Sequence, residues 1–207
     1  MAVEVIVDPD SFFEKQSRSP SVAAPVLVVV LAALSTAIVP SIILYYIMNI
    51  SPRGMSIYML IFGITNVIGG ILAIFGLWMV TSILLHFMAF YLSGNGGLRN
   101  TILMTGWGFL PMVFVNISNS FLTYRIISSI FSQVNIESIS IAHINAMLAN
   151  HPMMILTKLV SSLGVVWMGF LWTFAIRNVH DINFRNSTIV SSINILIIFV
   201  YWTIRLL

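Results

Sequence analysis

Long apolar runs alternate along the chain with short polar breaks. The runs cover about 24–48, 55–92, 98–122, 153–176 and 187–207. Each matches or exceeds the roughly 20 residues a helix needs to cross a bilayer. The pattern predicts an all-α polytopic membrane bundle of five transmembrane helices, with interfacial amphipathic helices beside it. The chain divides into a short cytosolic or interfacial segment, 1–23, and a five-span membrane domain, 24–207. An odd number of crossings puts the termini on opposite sides.

The breaks and irregular positions refine this picture. Before the first span, Val3, Val5 and Val7 suggest an extended piece, and Asp8-Pro9-Asp10 is a helix start with an acid cap and proline in the first turn. Phe12 and Phe13 follow and are expected to dip into the membrane interface. Pro40 should kink the first span, and Asn49-Ile50-Ser51-Pro52-Arg53-Gly54 reads as a turn. Between Met55 and Leu92 there is no Lys, Arg, Asp or Glu. One long helix with a close contact at Gly69-Gly70 is the favoured reading there; a helical hairpin is the alternative. Ile126, Ile127, Ile130, Phe131 and Val134, and then Ile141, Ile144 and Leu148, recur at helical spacing among polar residues. They predict one or two amphipathic helices over 126–150, ended by Pro152.

Composition fixes the class. Of 207 residues, 59% are hydrophobic and 7% charged, against about 25% charged in a soluble domain. Such a chain cannot cover itself in water. The first run is too long for a cleaved leader and is read as retained. With the N-terminus inside, Lys15, Arg18, Arg99, Arg177 and Arg185 lie on the inner side and Arg53, Arg125, Lys158 and Arg205 on the outer. The excess favours a cytoplasmic N-terminus in a multi-pass protein of the cell membrane.

Candidate chemistry is sparse. Beyond Glu14 the carboxylates are Glu137 and Asp181, both in predicted loops, so catalysis by paired carboxylates within a span is excluded. No enzyme activity and no cofactor is expected. His143 and His151 do not share a helical face, there is no cysteine, and no metal site is expected. His180-Asp181 reads as a polar loop pair. Four polar residues inside apolar runs stand out: His86 (with Ser82 one turn before it), Asn66, Asn116 and Asn119. They line a cavity or hydrogen-bond between helices. Gly94-Asn95-Gly96-Gly97 is a flexible turn rather than a phosphate loop. Arg99 follows it as an inner-face anchor. Gly106-Trp107-Gly108 and Pro111 predict a bent, closely packed helix, and the kink at Pro111 lines a cavity only under a transporter function. Gly69 with Ala73, Ser187 with Ser191, Gly164 and Gly169 mark further contacts.

Three segments carry a family resemblance. They are Asp8-Pro9-Asp10-Ser11-Phe12-Phe13-Glu14; the Gly94–Pro111 segment with Gly97, Arg99, Trp107 and Leu110-Pro111; and Leu171-Trp172, Phe174-Ala175, Arg177-Asn178 and His180. In this order and spacing the chain resembles a short microbial, archaeal-type member of the Yip-domain family of five-span membrane proteins. The resemblance implies a helical membrane bundle with a cytosolic N-terminus. It also implies a non-enzymatic role in membrane organisation, trafficking or partner recruitment. Eukaryotic relatives bind prenylated small GTPases of the Rab type and carry long N-terminal cytosolic regions, whereas about 23 residues precede the first span here. The expected partners are membrane lipids, a protein partner and a second copy of the chain, and not nucleic acid. The alternative function is a transporter or channel for small molecules or lipids, with its cavity between helices.

Overall fold

Lipid offers a spanning backbone no hydrogen-bond partner but itself, so apolar runs wind into helices. A computed structural model shows ten of them among the residues it describes, 2–50, 56–133 and 141–206. They are α1 (Ala2–Val7), α2 (Pro9–Arg18), α3 (Ala23–Thr36), α4 (Ile38–Ile50), α5 (Ser56–Tyr91), α6 (Leu98–Trp107), α7 (Leu110–Gln133), α8 (Ile141–Asn150), α9 (Met153–His180) and α10 (Phe184–Leu206). Four paths are long and apolar enough to cross a membrane: α3–α4, α5, α6–α7 and α9. α10 adds a shorter apolar stretch, Phe184–Val200. α9 lies at the centre, packed on α10, α7, α6 and α2. At one end, α2 sits on α9 and α6 beside the start of α10; this is called the N-terminal end.

Two of the five paths are broken, by the same mechanism. Proline has no N–H for the carbonyl four residues before it and clashes with that carbonyl. Four residues before Pro40 is Thr36, where α3 ends; four before Pro111 is Trp107, where α6 ends. In both breaks the backbone tightens to bonds spanning three residues. Ala37 N–H donates to Leu34 O at 3.1 Å, and Gly108 N–H to Thr105 O at 3.0 Å.

Tertiary packing overrides several local expectations. Val3, Val5 and Val7 are helical within α1 rather than extended; Val5 is fully buried, and Glu4 pairs with Lys15 of α2 at 2.8 Å. Phe12 and Phe13 enter the protein core instead of the interface, Phe12 standing edge-on to Trp107 at 4.9 Å. Residues 56–91 are a single helix with no hairpin; of the glycine pair, Gly70 faces Thr36 of α3 in ordinary van der Waals contact, while Gly69 has nothing within 4 Å of where a Cβ would stand. A tighter approach on α5 is Gly63 against Leu44. Ile126, Ile127 and Ile130 are buried on a continuation of α7, so they form no separate surface helix. His180 is the fully buried last residue of α9, and only Asp181, left-handed at φ 52°, begins the loop. Of the expected 49–54 turn, α4 takes the first two residues as helix. The remaining four, Glu137, and the side chains of His143 and Arg205 lie outside the described residues.

Candidate functional site

The break before Pro40 opens a cavity of about 800 Å³ between α3–α4, α7 and the first half of α9. Asn116, Asn119 and Thr123 line it from one face of α7. Ser35, Thr36 and Pro40 line it from the break, and Thr157, Lys158, Ser161 and Ser162 from α9. Helical spacing explains the grouping, since i, i+3, i+4 and i+7 share a face. Asn116 Nδ2 donates to Ser35 Oγ at 2.9 Å, and Asn119 Nδ2 to Ser161 Oγ at 2.8 Å. Asn119 Oδ1 is buried with no hydrogen-bond partner. Lys158 brings a positive charge, and no carboxylate is among the described lining residues. Toward the N-terminal end the gap closes. A Cβ on Gly164 would collide with Val115, and beyond that Phe109 and Trp172 pack edge-on at 5.9 Å, both fully buried.

A second polar cluster joins α5, α6 and α9. Thr101 Oγ1 lies 3.2 Å from His86 Nδ1 and 2.9 Å from His180 Nε2, and the two rings are 5.2 Å apart. Ser82 and Thr105 share a hydrogen bond one turn further in. Trp78 Nε1 donates to Ile102 O at 2.9 Å and Trp172 Nε1 to Thr105 O at 3.0 Å. Here His86 serves as a link between helices and is not among the residues lining the cavity. The glycine turn crosses the end of α9, where Asn95 N–H donates to His180 O at 3.1 Å. A Cβ on Gly96 would strike the Val179 carbonyl, so close approach accounts for that glycine.

The third feature ties α2 to the bundle. Asp8 caps α2 through Ser11 N–H at 3.2 Å, with Pro9 in the first turn. Asp10 accepts from Arg177 Nη1 at 2.8 Å and from Asn178 Nδ2 at 3.1 Å.

Of the four residues singled out for a cavity, Asn116 and Asn119 line one together. Asn66 is exposed and donates to Phe62 O of its own helix at 2.8 Å. Pro111 is buried and opens no part of this cavity; Pro40 does. Trp107 is buried with its Nε1 unpartnered, Gly97 precedes α6 as its cap residue, and Arg99 is exposed. The hydroxyls of α9 and Lys158 escaped the sequence reading. Their signal was the Thr157–Ser161 pair at i, i+4, facing a stripe of amides. Among the described residues, no group of three or more potential metal ligands comes together.

The three resembling segments thus meet in space, through Phe12 on Trp107, Asp10 on Arg177 and Trp172 on Thr105. A family model for the Yip1 domain matches residues 3–205. An uncharacterised protein of Methanocaldococcus jannaschii is 30% identical over 116 residues, covering 54% of this chain and 79% of that protein. No solved structure matches. With the match running through all five apolar paths, the chain belongs to the Yip1-domain family.

Proposed function

We propose that this is a non-enzymatic, membrane-embedded binding module that organises lipid or recruits a protein partner. We place it in the cell membrane with its N-terminus in the cytoplasm. The observation that carries the reading is a mainly apolar cavity with a few polar groups and one lysine, closed toward the N-terminal end by Val115 on Gly164 and by the Phe109–Trp172 layer. Ligand sites are typically concave and mostly apolar with a few placed polar groups, as here. Recovery from native membranes should bring down a reproducible lipid or protein partner, a small GTPase or a second copy of the chain being among the proteins to look for. Recovery of nothing, with lipid order unchanged around the reconstituted protein, overturns the proposal.

The same cavity favours one alternative, a carrier for small molecules or lipids that opens alternately to each side. It requires the Val115–Gly164 contact to part. Liposome flux above that of empty vesicles, for an ion, a metabolite or a labelled lipid, would establish it; flux equal to empty vesicles for all three removes it.

A further inference from the structure

We infer that the cavity beside Pro40 takes an amphiphile whose headgroup carries both an anion and a hydroxyl, a glycerophosphate-type membrane lipid. The inference rests on the binding reading above and deepens it. Lys158 supplies a cation, and no described carboxylate in the lining competes for it. Ser162 adds a hydroxyl that can donate to an anionic oxygen, while Thr36 and Thr157 give their protons to the Ala33 and Met154 carbonyls of their own helices and offer only acceptor lone pairs. Asn119 Oδ1 is a buried acceptor without a donor, a state that costs free energy until a donor arrives; a headgroup hydroxyl provides one. The remaining walls are apolar, from Val39, Pro40, Met154 and Phe199, and suit the first methylenes of a chain. A volume of about 800 Å³ accommodates a headgroup with that much tail. Depth agrees: Lys158 lies five residues into α9, which begins at Met153, about 7 Å along the helix axis and so near headgroup level.

The test uses the full chain, stripped of lipid in neutral detergent, with binding read by native mass spectrometry. The probes are short-chain phosphatidylglycerol, phosphatidylcholine of equal chain length, and inorganic phosphate alone. Phosphatidylglycerol should bind about tenfold more tightly than phosphatidylcholine. Lys158→Gln should remove much of that preference, a loss of up to about fivefold, as expected for one exposed charge pair. Arg125→Gln, an exposed cation of α7 outside the cavity, should leave it unchanged. Ser162→Trp should weaken both lipids by filling the space. Lys158 is exposed, so its variant folds and decides the matter even where Ser162→Trp does not. An equal loss in Arg125→Gln, or no preference between the lipids, overturns the inference in favour of general surface charge. Phosphate displacing the lipid at equal strength overturns it in favour of a small-anion site. Binding of both lipids that Ser162→Trp abolishes and Lys158→Gln spares keeps the cavity reading and rejects the anionic class. Binding that neither variant alters rejects both.

Discussion

Trp172 and Gly108 require one another. The indole occupies the space where a Cβ on Gly108 would stand, and its N–H holds the Thr105 carbonyl at 3.0 Å beside the α6–α7 break. The Thr105 carbonyl already accepts from Gly108 N–H and the Ile102 carbonyl from Thr105 Oγ1, so the indole N–H groups of Trp172 and Trp78 fill the second lone pair of each and tie α9 and α5 to α6 beside the break. Gly108→Ala drives a methyl into a ring that has no free space to move into. Overpacking of this kind costs about 1–3 kcal/mol, and the thermal midpoint of the detergent-solubilised protein should fall accordingly. Gly69→Ala is the contrasting case. Nothing lies within 4 Å of its Cβ position, and alanine gains up to about 1 kcal/mol over glycine in a helix interior. Its midpoint should hold or rise. A Gly69→Ala loss as large as that of Gly108→Ala would mean that α5 packs on something not seen in the single chain.

At the scale of elements, the two proline breaks produce different outcomes from one cause. Before Pro111 the break is filled by Trp172, Phe109 and Gly108; before Pro40 it is left open as the cavity. The difference lies in the partners, since α9 presents a tryptophan to the first and small hydroxyls to the second. Pro40→Ala restores the missing N–H to the Thr36 carbonyl and should fuse α3 and α4 into one straighter helix. The chain has no cysteine, so spin labels at Leu27 and Met48 report the separation cleanly. Their distance should lengthen, and lipid binding in the cavity should weaken; an unchanged distance would show that α4 is held bent by α5 and α7 alone. Val5, Phe12 and Phe13 anchor α1 and α2 in the core, while the exposed contacts that hold α1 against α2 and cap α2 are electrostatic and respond to acid. The hydrogen bond and charge of Lys15 hold the Glu4 carboxyl below its ordinary value, and Ser11, by its side chain and then its backbone N–H, does the same for Asp8. Groups lowered by folding stabilise it above their unfolded values, and that contribution is lost as pH falls through the lowered ones. A spin label at exposed Val3 of α1 should therefore gain mobility below about pH 4 and be insensitive between pH 5 and 8. Mobility that rises near pH 6 instead would point to histidine and away from these carboxylates.

For the molecule as a whole, the apolar runs and the Asp8 cap were legible because each is a local property: length against bilayer thickness, and a side chain bonding three residues on. The cavity was not. In lipid both faces of a span are apolar, so periodicity does not separate inward from outward positions, and Thr157, Ser161 and Ser162 look like ordinary packing residues until α7 is set opposite. His180 misled for a related reason. A polar pair after an apolar run reads as a loop, while burial of its first member depends on Thr101, which is remote in sequence. The side on which each end lies is likewise a global property, carried by five cations against four in the sequence. Following the described paths, Ser19 and Asp181 stand at the N-terminal end, and Ser132 and Asn150 at the other, all four exposed. Single cysteines at these positions, in a chain with none of its own, can be probed in intact cells with a membrane-impermeant maleimide. The expectation is labelling at the Ser132 and Asn150 positions without permeabilisation, and at the Ser19 and Asp181 positions only after it. Opposite labelling of the two pairs would keep the five crossings and invert the orientation, which would move Lys158 and the mouth of the cavity to the cytoplasmic leaflet. Labelling of Ser19 and Ser132 from the same side would break the five-crossing arrangement itself.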